Sequence, residues 1–369
     1  MSSLLKDIYS PLFYENFSNV LLETVPGFDK ENFISSIFDD DWNERELKSR
    51  MKHTATVLYE FMPKDFEAAG ELIQKIILKI KEKPFTNSSF PFMFFPEYIE
   101  KYGLDYFEIS VKLIETVTQF ISCEFTVRPF IIRYGNEMIS KMTEWSIHEN
   151  HHVRRLASEG SRPRLPWAIS LPELKKNPSP ILPLLENLKN DSSEYVRRSV
   201  ANSLNDISKD NPQVTLSIAK KWKGLGKETD AIIKHGSRTL LKQGNTEIMS
   251  HYGLVNSDKV FISDFELVNS RIKIGDYLEF SFKIENQEEN AVPVRLEYGI
   301  YYLRQNGSWS KKVFKISERI LLSNEILIVS RKQSFKIITT RKFYGGIQKI
   351  SIIVNGHERC VEEFEIIGQ

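Results

Sequence analysis

The chain has 369 residues, of which 41% are hydrophobic and 12% aromatic, a composition that excludes a disordered chain and suits two or three ordinary domains. Its 50 basic and 49 acidic residues leave a net charge of +1, so the chain is neither uniformly basic nor uniformly acidic. No apolar run approaches the ~18 residues that span a membrane, and MSSLLKDIYS lacks the features of a secretory signal. The two cysteines, Cys123 and Cys360, give neither a disulfide framework nor a zinc site. We therefore expect a cytoplasmic protein with no membrane partner.

The first 250 residues are predicted to be helical. Apolar residues recur at three- and four-residue spacing over 47–58, 72–80, 108–121 and 131–147, which is typical of amphipathic helices. Prolines fall between these stretches, where helices begin or end.

A repeat follows in the middle of the chain. HHVRRLASEG at 151–160 is succeeded after about 40 residues by EYVRRSVANSL at 194–204, and then by AIIKHGSRTLL at 231–241. Second helices are predicted over 180–189 and 212–222. Paired helices at roughly 40-residue spacing indicate a HEAT-like α-solenoid.

The middle of the chain is also locally basic. Residues 151–240 contain sixteen Lys or Arg and nine Asp or Glu. In the second repeat copy Arg198, Asn202 and Asp206 share one helical face, and stacked repeats should align such faces into a concave surface. A basic stripe of this kind suits reversible binding to a polyanion. An ordinary solvated helix surface has the same charge balance, so charge alone leaves both interpretations open.

From about residue 258 the apolar period changes to two. Apolar and polar residues alternate over three stretches: 278–284, 296–302 and 350–354. Asn306-Gly307 and Asn355-Gly356 predict hairpin turns, and about seven strands suit an immunoglobulin-like sandwich. The predicted fold is multidomain α + β: a HEAT-like α-solenoid over 1–253, followed by an immunoglobulin-like β-sandwich over 258–369.

The segment RRLASEGSRPRLPW, residues 154–167, carries the most chemical information. It combines arginines, an acid and a tryptophan around two prolines directly after a helix, which a buried amphipathic helix does not need. The segment resembles the AlkC branch of the AlkC/AlkD DNA glycosylases, whose S-E-G-x-R-P-R-L-P-W element corresponds to residues 158–167. Five further stretches resemble the same branch: 46–53, 123–131, 196–212, 232–244 and 330–336.

The resemblance implies a helical-repeat DNA glycosylase domain over 1–253 and assigns catalytic roles to Glu124, Glu159, Trp167 and Asp206. It also implies phosphate-facing bases in the 154–167 segment, and the repeat copies and the basic stretch at 330–343 add others. The residues expected to bind DNA are Arg155, Arg162, Arg164, Arg197, Arg198, Lys234, His235, Arg238, Arg341 and Lys342. The stretch 330–343 is equally well interpreted as an edge strand protected against aggregation by its lysines.

The implied reaction fits these residue types. An N-alkylated purine such as 3-methyladenine is cationic in DNA, so its bond to deoxyribose is weak and its departure needs no general acid. The developing oxocarbenium sugar calls for negative charge and an aromatic face, together with a base that orients water. The resemblance further implies that the base is not flipped into a pocket, unlike in most glycosylases.

Alternative interpretations remain open at this stage. Asp206 alone could simply pair with Arg198 or Lys209 on its helix. His148, His151 and His152 lack acidic or cysteine partners at metal spacing, so we expect no metal and no cofactor.

The alternative function is a non-catalytic helical-repeat DNA-binding scaffold, although carboxylates beside DNA would weaken a pure phosphate binder. A protein-binding solenoid would instead require apolar anchors on its concave face. The expected partner is duplex DNA containing alkylated bases, bound by a monomer.

Overall fold

The computed structural model describes residues 4–338 and 341–367, which cluster into two compact units, one up to Gly236 and one from Ser237. Within these residues sixteen α-helices precede eight β-strands. The predicted order of a helical part followed by a sheet part is confirmed. Helices end at His251 and the first strand begins at Val260, so the change falls where the hydrophobic period changes. No helix among the described residues is long and apolar enough to cross a membrane.

The helical unit contains fourteen of the described α-helices, and two short ones belong to the sheet unit. The helices are α1 Pro11–Thr24, α2 Lys30–Ile37, α3 Leu47–Phe61, α4 Phe66–Glu82, α5 Phe94–Gly103, α6 Phe107–Val117, α7 Val127–Tyr134, α8 Asn136–Trp145, α9 His151–Gly160, α10 Pro172–Lys176, α11 Leu182–Leu188, α12 Glu194–Asp210, α13 Pro212–Trp222, α14 Lys227–Gly236, α15 Arg238–Lys242 and α16 Thr246–His251. Side chains cap several of their first turns: Ser10, Asp65 and Asn150 accept hydrogen bonds from backbone N–H groups at the starts of α1, α4 and α9.

One predicted helix is divided in the structure. The stretch 131–147 contains Gly135, whose φ of +54° lies outside the helical region and separates α7 from α8. Apolar spacing alone cannot detect such a break, because α7 and α8 each keep an amphipathic pattern.

The repeat region packs as its sequence predicts. Val196, Val200, Leu204 and Ile207 form the buried stripe of α12 and are each at most 1% exposed. Helix α12 packs between α9 and α14. A side chain at Gly236 would collide with Leu204, since a Cβ there would lie 2.8 Å from the Leu204 Cβ, so glycine permits the close approach of α14 to α12.

The sheet unit contains two sheets that enclose one apolar core. The strands are β1 Val260–Leu267, β2 Arg271–Lys273, β3 Tyr277–Asn286, β4 Val292–Leu303, β5 Trp309–Leu321, β6 Ile326–Ser334, β7 Gly346–Val354 and β8 His357–Ile367. The sheet orders are β1-β3-β6 and β2-β8-β7-β4-β5. Asn355 and Gly356 both have positive φ, at 48° and 81°, as expected for the two-residue turn that joins β7 to β8.

Candidate active site

Three acids and two arginines that are far apart in sequence join in one chain of ion pairs. Arg155 contacts Glu124 and also lies 3.7 Å from Glu159 through its second terminal nitrogen. Arg162 donates to Glu159 at 2.5 Å and to Asp206 at 2.8 Å. We call these five residues the acid–arginine network. The structure therefore brings together all three carboxylates that the sequence singled out.

Local structure explains how the network forms. Arg155 and Glu159 lie four residues apart on α9 and so share one face of that helix. Arg162 follows the end of α9, and Asp206 lies on α12, which packs against α9. A hydrogen bond of 2.7 Å between Ser158 and Ser199 joins the same two helices.

Burial differs sharply along the network. Asp206 is 1% exposed and Glu159 5%, whereas 21% of the Glu124 side chain is exposed. Asp206 also pairs with Lys209 at 3.0 Å, one of the two pairings that its helix position suggested. Only Glu124, among the three acids, presents its carboxylate to an open space.

That space is a cleft of about 600 Å³. Its wall contains Glu124 and Trp167 together with aromatic, methionine and charged side chains. The lining residues are Glu46, Leu47, Lys48, Met51, Phe90, Met93, Pro96, Glu97, Glu100, Ile121, Ser122, Glu124, Phe125, Thr126 and Trp167. Glu159 and Asp206 are not among them and are linked to Glu124 through the two arginines.

Trp167 lies on the loop after α9, with 73% of its surface exposed. Its φ of +66° is uncommon for a residue other than glycine and has to be held by surrounding contacts. The Lys48 ammonium donates to the Trp167 carbonyl and lies 5.5 Å from the centre of the Phe125 ring. The structure therefore holds an exposed indole at the mouth of the cleft.

Two acids of the cleft, Glu97 and Glu100 on α5, were not predicted from the sequence. Burial, together with the nearby Glu97 carboxylate, raises the pKa of Glu100 to about 7. Burial also raises the pKa of Glu97, although Lys52 lies 4.0 Å from its carboxylate. Their three-residue spacing on one amphipathic helix could have indicated a shared face, but their depth depends on how α3 and α5 pack.

The expected DNA-binding residues of the α9–α12 region differ in accessibility. Arg162 is 7% exposed and donates to two carboxylates, so its surroundings favour a structural role over phosphate contact. Arg164 pairs with Asp210 at 2.6 Å near the surface. Arg197 donates to the backbone carbonyls of Asp191 and Ser192, whereas Arg198 is exposed. Phosphate binding by these residues stays a prediction.

The remaining expected DNA-binding residues lie on α14, on α15 and in the sheet unit. His235 is exposed and lies 3.1 Å from Asn202, and Lys234 and Arg238 are half-buried. In the sheet unit the Arg341 guanidinium lies 3.8 Å from the centre of the Tyr302 ring, and the Lys342 ammonium lies 5.5 Å from that of Tyr344.

Two further side chains support the network. Arg128 is fully buried and donates to backbone carbonyls on the loop after α9. Tyr195 is 44% exposed, and its ring centre lies 4.7 Å from the Arg155 guanidinium. Arg128 belongs to the 123–131 stretch that carries the family resemblance. The sequence did not indicate that its side chain would donate to backbone carbonyls after α9.

The histidines do not assemble into a metal site in the part of the chain that the structure describes. There, no group of three or more His, Cys, Asp or Glu side chains is arranged to hold a metal ion. His148 lies 3.7 Å from Glu115, and the rings of His151 and His152 are 4.1 Å apart.

The chain combines a helical unit, which contains the cleft, with a two-sheet unit, and comparisons with known proteins place that combination among DNA alkylation repair proteins. The pattern of the family described as "DNA alkylation repair enzyme" matches residues 100–236. The pattern described as the C-terminal Ig-like domain of the uncharacterised protein YhaZ matches residues 261–368.

Two similar proteins cover almost the whole chain. The YhaZ protein of Bacillus subtilis (strain 168) is 42% identical over 362 residues, 98% of this chain and 99% of its own length. The alkylpurine DNA glycosylase AlkC of Pseudomonas fluorescens, solved bound to DNA containing an abasic site analog, is 33% identical. Its TM-score is 0.93, with 99% of this chain and 100% of that chain covered. The chain belongs to the AlkC family of DNA alkylation repair proteins.

Proposed function

We propose that this protein is a monofunctional DNA glycosylase that excises cationic N-alkylated bases of the 3-methyladenine type from duplex DNA in base excision repair. The observation that carries the proposal is the acid–arginine network ending at Glu124, on a cleft that also exposes Trp167. Membership of a family that includes a glycosylase solved on abasic DNA supports the same activity.

The reaction breaks the bond between the deoxyribose C1′ and the base nitrogen. The bonding electrons leave with the cationic base, which departs neutral, and positive charge develops on the sugar. The Glu124 carboxylate stabilises that charge and accepts a proton from the attacking water, whose oxygen forms the new bond to C1′. The exposed Trp167 indole offers a π face to the same developing cation.

The two buried acids act at a distance. Glu159 and Asp206 fix the guanidinium groups of Arg155 and Arg162, and Arg155 in turn holds the Glu124 carboxylate in place. Because Glu124 lines an open cleft, we expect it to approach the sugar from outside the DNA duplex. Such an approach would not require the base to be flipped.

The proposal is tested by measuring free base released from methylated duplex DNA by the purified protein. The wild-type protein should release 3-methyladenine. Glu124→Gln keeps the shape of the side chain and removes its charge, so the rate should fall about a hundredfold. The matched control is Glu108→Gln, an exposed acid on α6, which should behave like the wild type.

A non-catalytic DNA-binding scaffold makes the opposite prediction. The wild-type protein would then bind duplex DNA, release no base, and respond to Glu124→Gln only through tighter binding, because an anion near phosphate is removed. That result would replace the glycosylase proposal.

A further inference from the structure

Arg128 on α7 holds one particular loop. Its guanidinium is fully buried and donates to the carbonyls of Gly160 at 2.9 Å and Arg162 at 2.8 Å, while its Nε donates to the carbonyl of Ile169. These carbonyls lie at the two ends of the segment 161–169, which carries Trp167 and which we call the Trp167 loop. The Arg128 side chain thus connects the start of the Trp167 loop to its end.

The loop needs such support. The structure gives it turns and no regular hydrogen-bonding pattern, and Trp167 adopts a positive φ within it. Besides Arg128, Lys48 on α3 donates to the Trp167 carbonyl from the cleft side. Only a planar guanidinium offers a fork of donors that reaches carbonyls at both ends of the loop, and a lysine ammonium cannot replace it.

Burying the Arg128 guanidinium costs more free energy than packing alone would justify. Removing a guanidinium from water carries a large desolvation penalty, and burial beside Arg162 lowers the pKa of Arg128 to about 10. The nearby carboxylates of the acid–arginine network offset part of this penalty. By contrast Arg133, on the same helix, is 48% exposed and pairs with Asp105 at 2.5 Å.

We propose that Arg128 is a positioning residue that fixes the Trp167 loop and thereby sets the Trp167 indole at the cleft beside Glu124. Glu124 lies four residues before Arg128, so one short segment carries both the cleft acid and the arginine that holds the Trp167 loop. The effect on catalysis rests on the proposed glycosylase function. The effect on the loop does not.

The test compares Arg128→Lys with Arg133→Lys in the full-length protein. Hydrogen exchange over residues 161–171 should quicken in Arg128→Lys and stay at the wild-type rate in Arg133→Lys. The single-turnover rate of base release should fall about a hundredfold, because a misplaced catalytic group costs a factor of that order. The dissociation constant for duplex DNA should change by less than about threefold, because no phosphate contact is removed. A uniform rise of exchange across all helices, with rate and affinity falling together, would indicate a merely structural residue and overturn the proposal.

A second variant covers the possibility that Arg128→Lys does not fold. Lys48→Met removes the exposed ammonium that donates to the Trp167 carbonyl. It should quicken exchange at residues 165–169 and slow base release less than Arg128→Lys does. Quickened exchange together with a wild-type rate of base release in Lys48→Met would show that the reaction does not depend on how the loop is held, and would overturn the positioning role. If the wild-type protein releases no base, the glycosylase proposal fails, while the exchange measurements still decide how the loop is held.

Discussion

Both units bury ion pairs, but of two buried networks among the described residues, the acid–arginine network of the helical unit is the one that ends at the cleft. In the sheet unit Arg295 pairs with Glu297 at 2.6 Å and with Glu318 at 3.1 Å, and Arg295 and Glu297 are 3% and 0% exposed. In the helical unit an equally buried chain of acids and arginines ends at the partly exposed Glu124. Burial and pairing are therefore similar in the two places, and Glu318 is about as exposed as Glu124, with 25% and 21% of each side chain exposed. The difference is that Glu124 lines a cleft.

This difference shows what a buried ion pair can indicate. Removing charges from water costs free energy that their attraction only partly repays, so burial of a pair is no proof of function. Arg295 and Glu297 lie on the same strand, β4, and their charges serve packing within one sheet. The acid–arginine network instead links two buried acids to a carboxylate at the cleft.

The sharpest test of this comparison pairs Glu159→Gln with Glu297→Gln. Both variants remove one buried charge and keep the side-chain shape. Glu159→Gln should lower base release at least about a hundredfold, whereas Glu297→Gln should leave the rate per folded molecule unchanged. Each should also lower the free energy of unfolding by up to ~3–5 kcal/mol, since an arginine loses its buried partner. Rates corrected for the folded fraction separate the two effects, and equal rates in both variants would contradict the comparison.

Two exposed tryptophans allow a second comparison. Trp167→Ala should slow base release by up to about thirtyfold, the equivalent of a π contact worth ~2 kcal/mol. Its free energy of unfolding should change by no more than about 0.5 kcal/mol, because the side chain is 73% exposed. Trp309→Ala, in the sheet unit, removes an indole that donates to the Ile347 carbonyl at 3.2 Å and should affect stability alone. A large loss of stability in Trp167→Ala would show that the indole packs instead of acting.

The basic surface predicts a smaller effect. Arg198→Ala on α12 should weaken binding to every duplex sequence alike and flatten the slope of log affinity against log salt by about one unit. Arg271→Ala, which removes an exposed arginine paired with Glu365 in the sheet unit, should leave that slope unchanged. Fluorescence anisotropy over a range of salt concentrations measures both, and a loss that depends on DNA sequence would argue against backbone tracking.

The smallest expected effect concerns pH and the cleft acid Glu100. Its pKa of about 7 in the folded protein lies above its ordinary value of 4.5, so the unfolded chain releases a proton in this range while the folded protein retains it. Stability should therefore fall as pH rises from about 5 to about 7. Glu100→Gln should raise the melting temperature at about pH 8 and weaken that pH dependence. Glu108→Gln is the control, and an unchanged pH dependence in Glu100→Gln would show that Glu100 is not the group responsible.

Local spacing predicted most of the fold correctly. The stripe from Val196 to Ile207 and the alternation over 278–284 each depend on neighbours in sequence, and both stripes are buried in the structure. The break at Gly135 and the number of strands were not predicted, because a single backbone angle or a three-residue strand such as β2 leaves little trace in a periodic pattern.

For the candidate site, the resemblance to the AlkC branch assigned roles to Glu124, Glu159, Trp167 and Asp206, and their geometry was left to the structure. The burial of Asp206 and of the Arg162 side chain was not predicted. A helical wheel shows which residues share a face of a helix, but it does not show which neighbouring element covers that face. Glu97 and Glu100 escaped notice for the same reason.

The sequence by itself determined most of the secondary structure, the order of the two parts and the family, because periodicity and motifs depend on neighbouring residues. Only the tertiary structure decided which charges are covered. Asp206 meets Arg162 across 44 positions of the chain, and the cleft collects residues from segments as distant as Glu46 and Trp167. Such contacts follow from helix packing, which sets the desolvation and the access of each charged group, and these properties separate Glu124 from the other two acids.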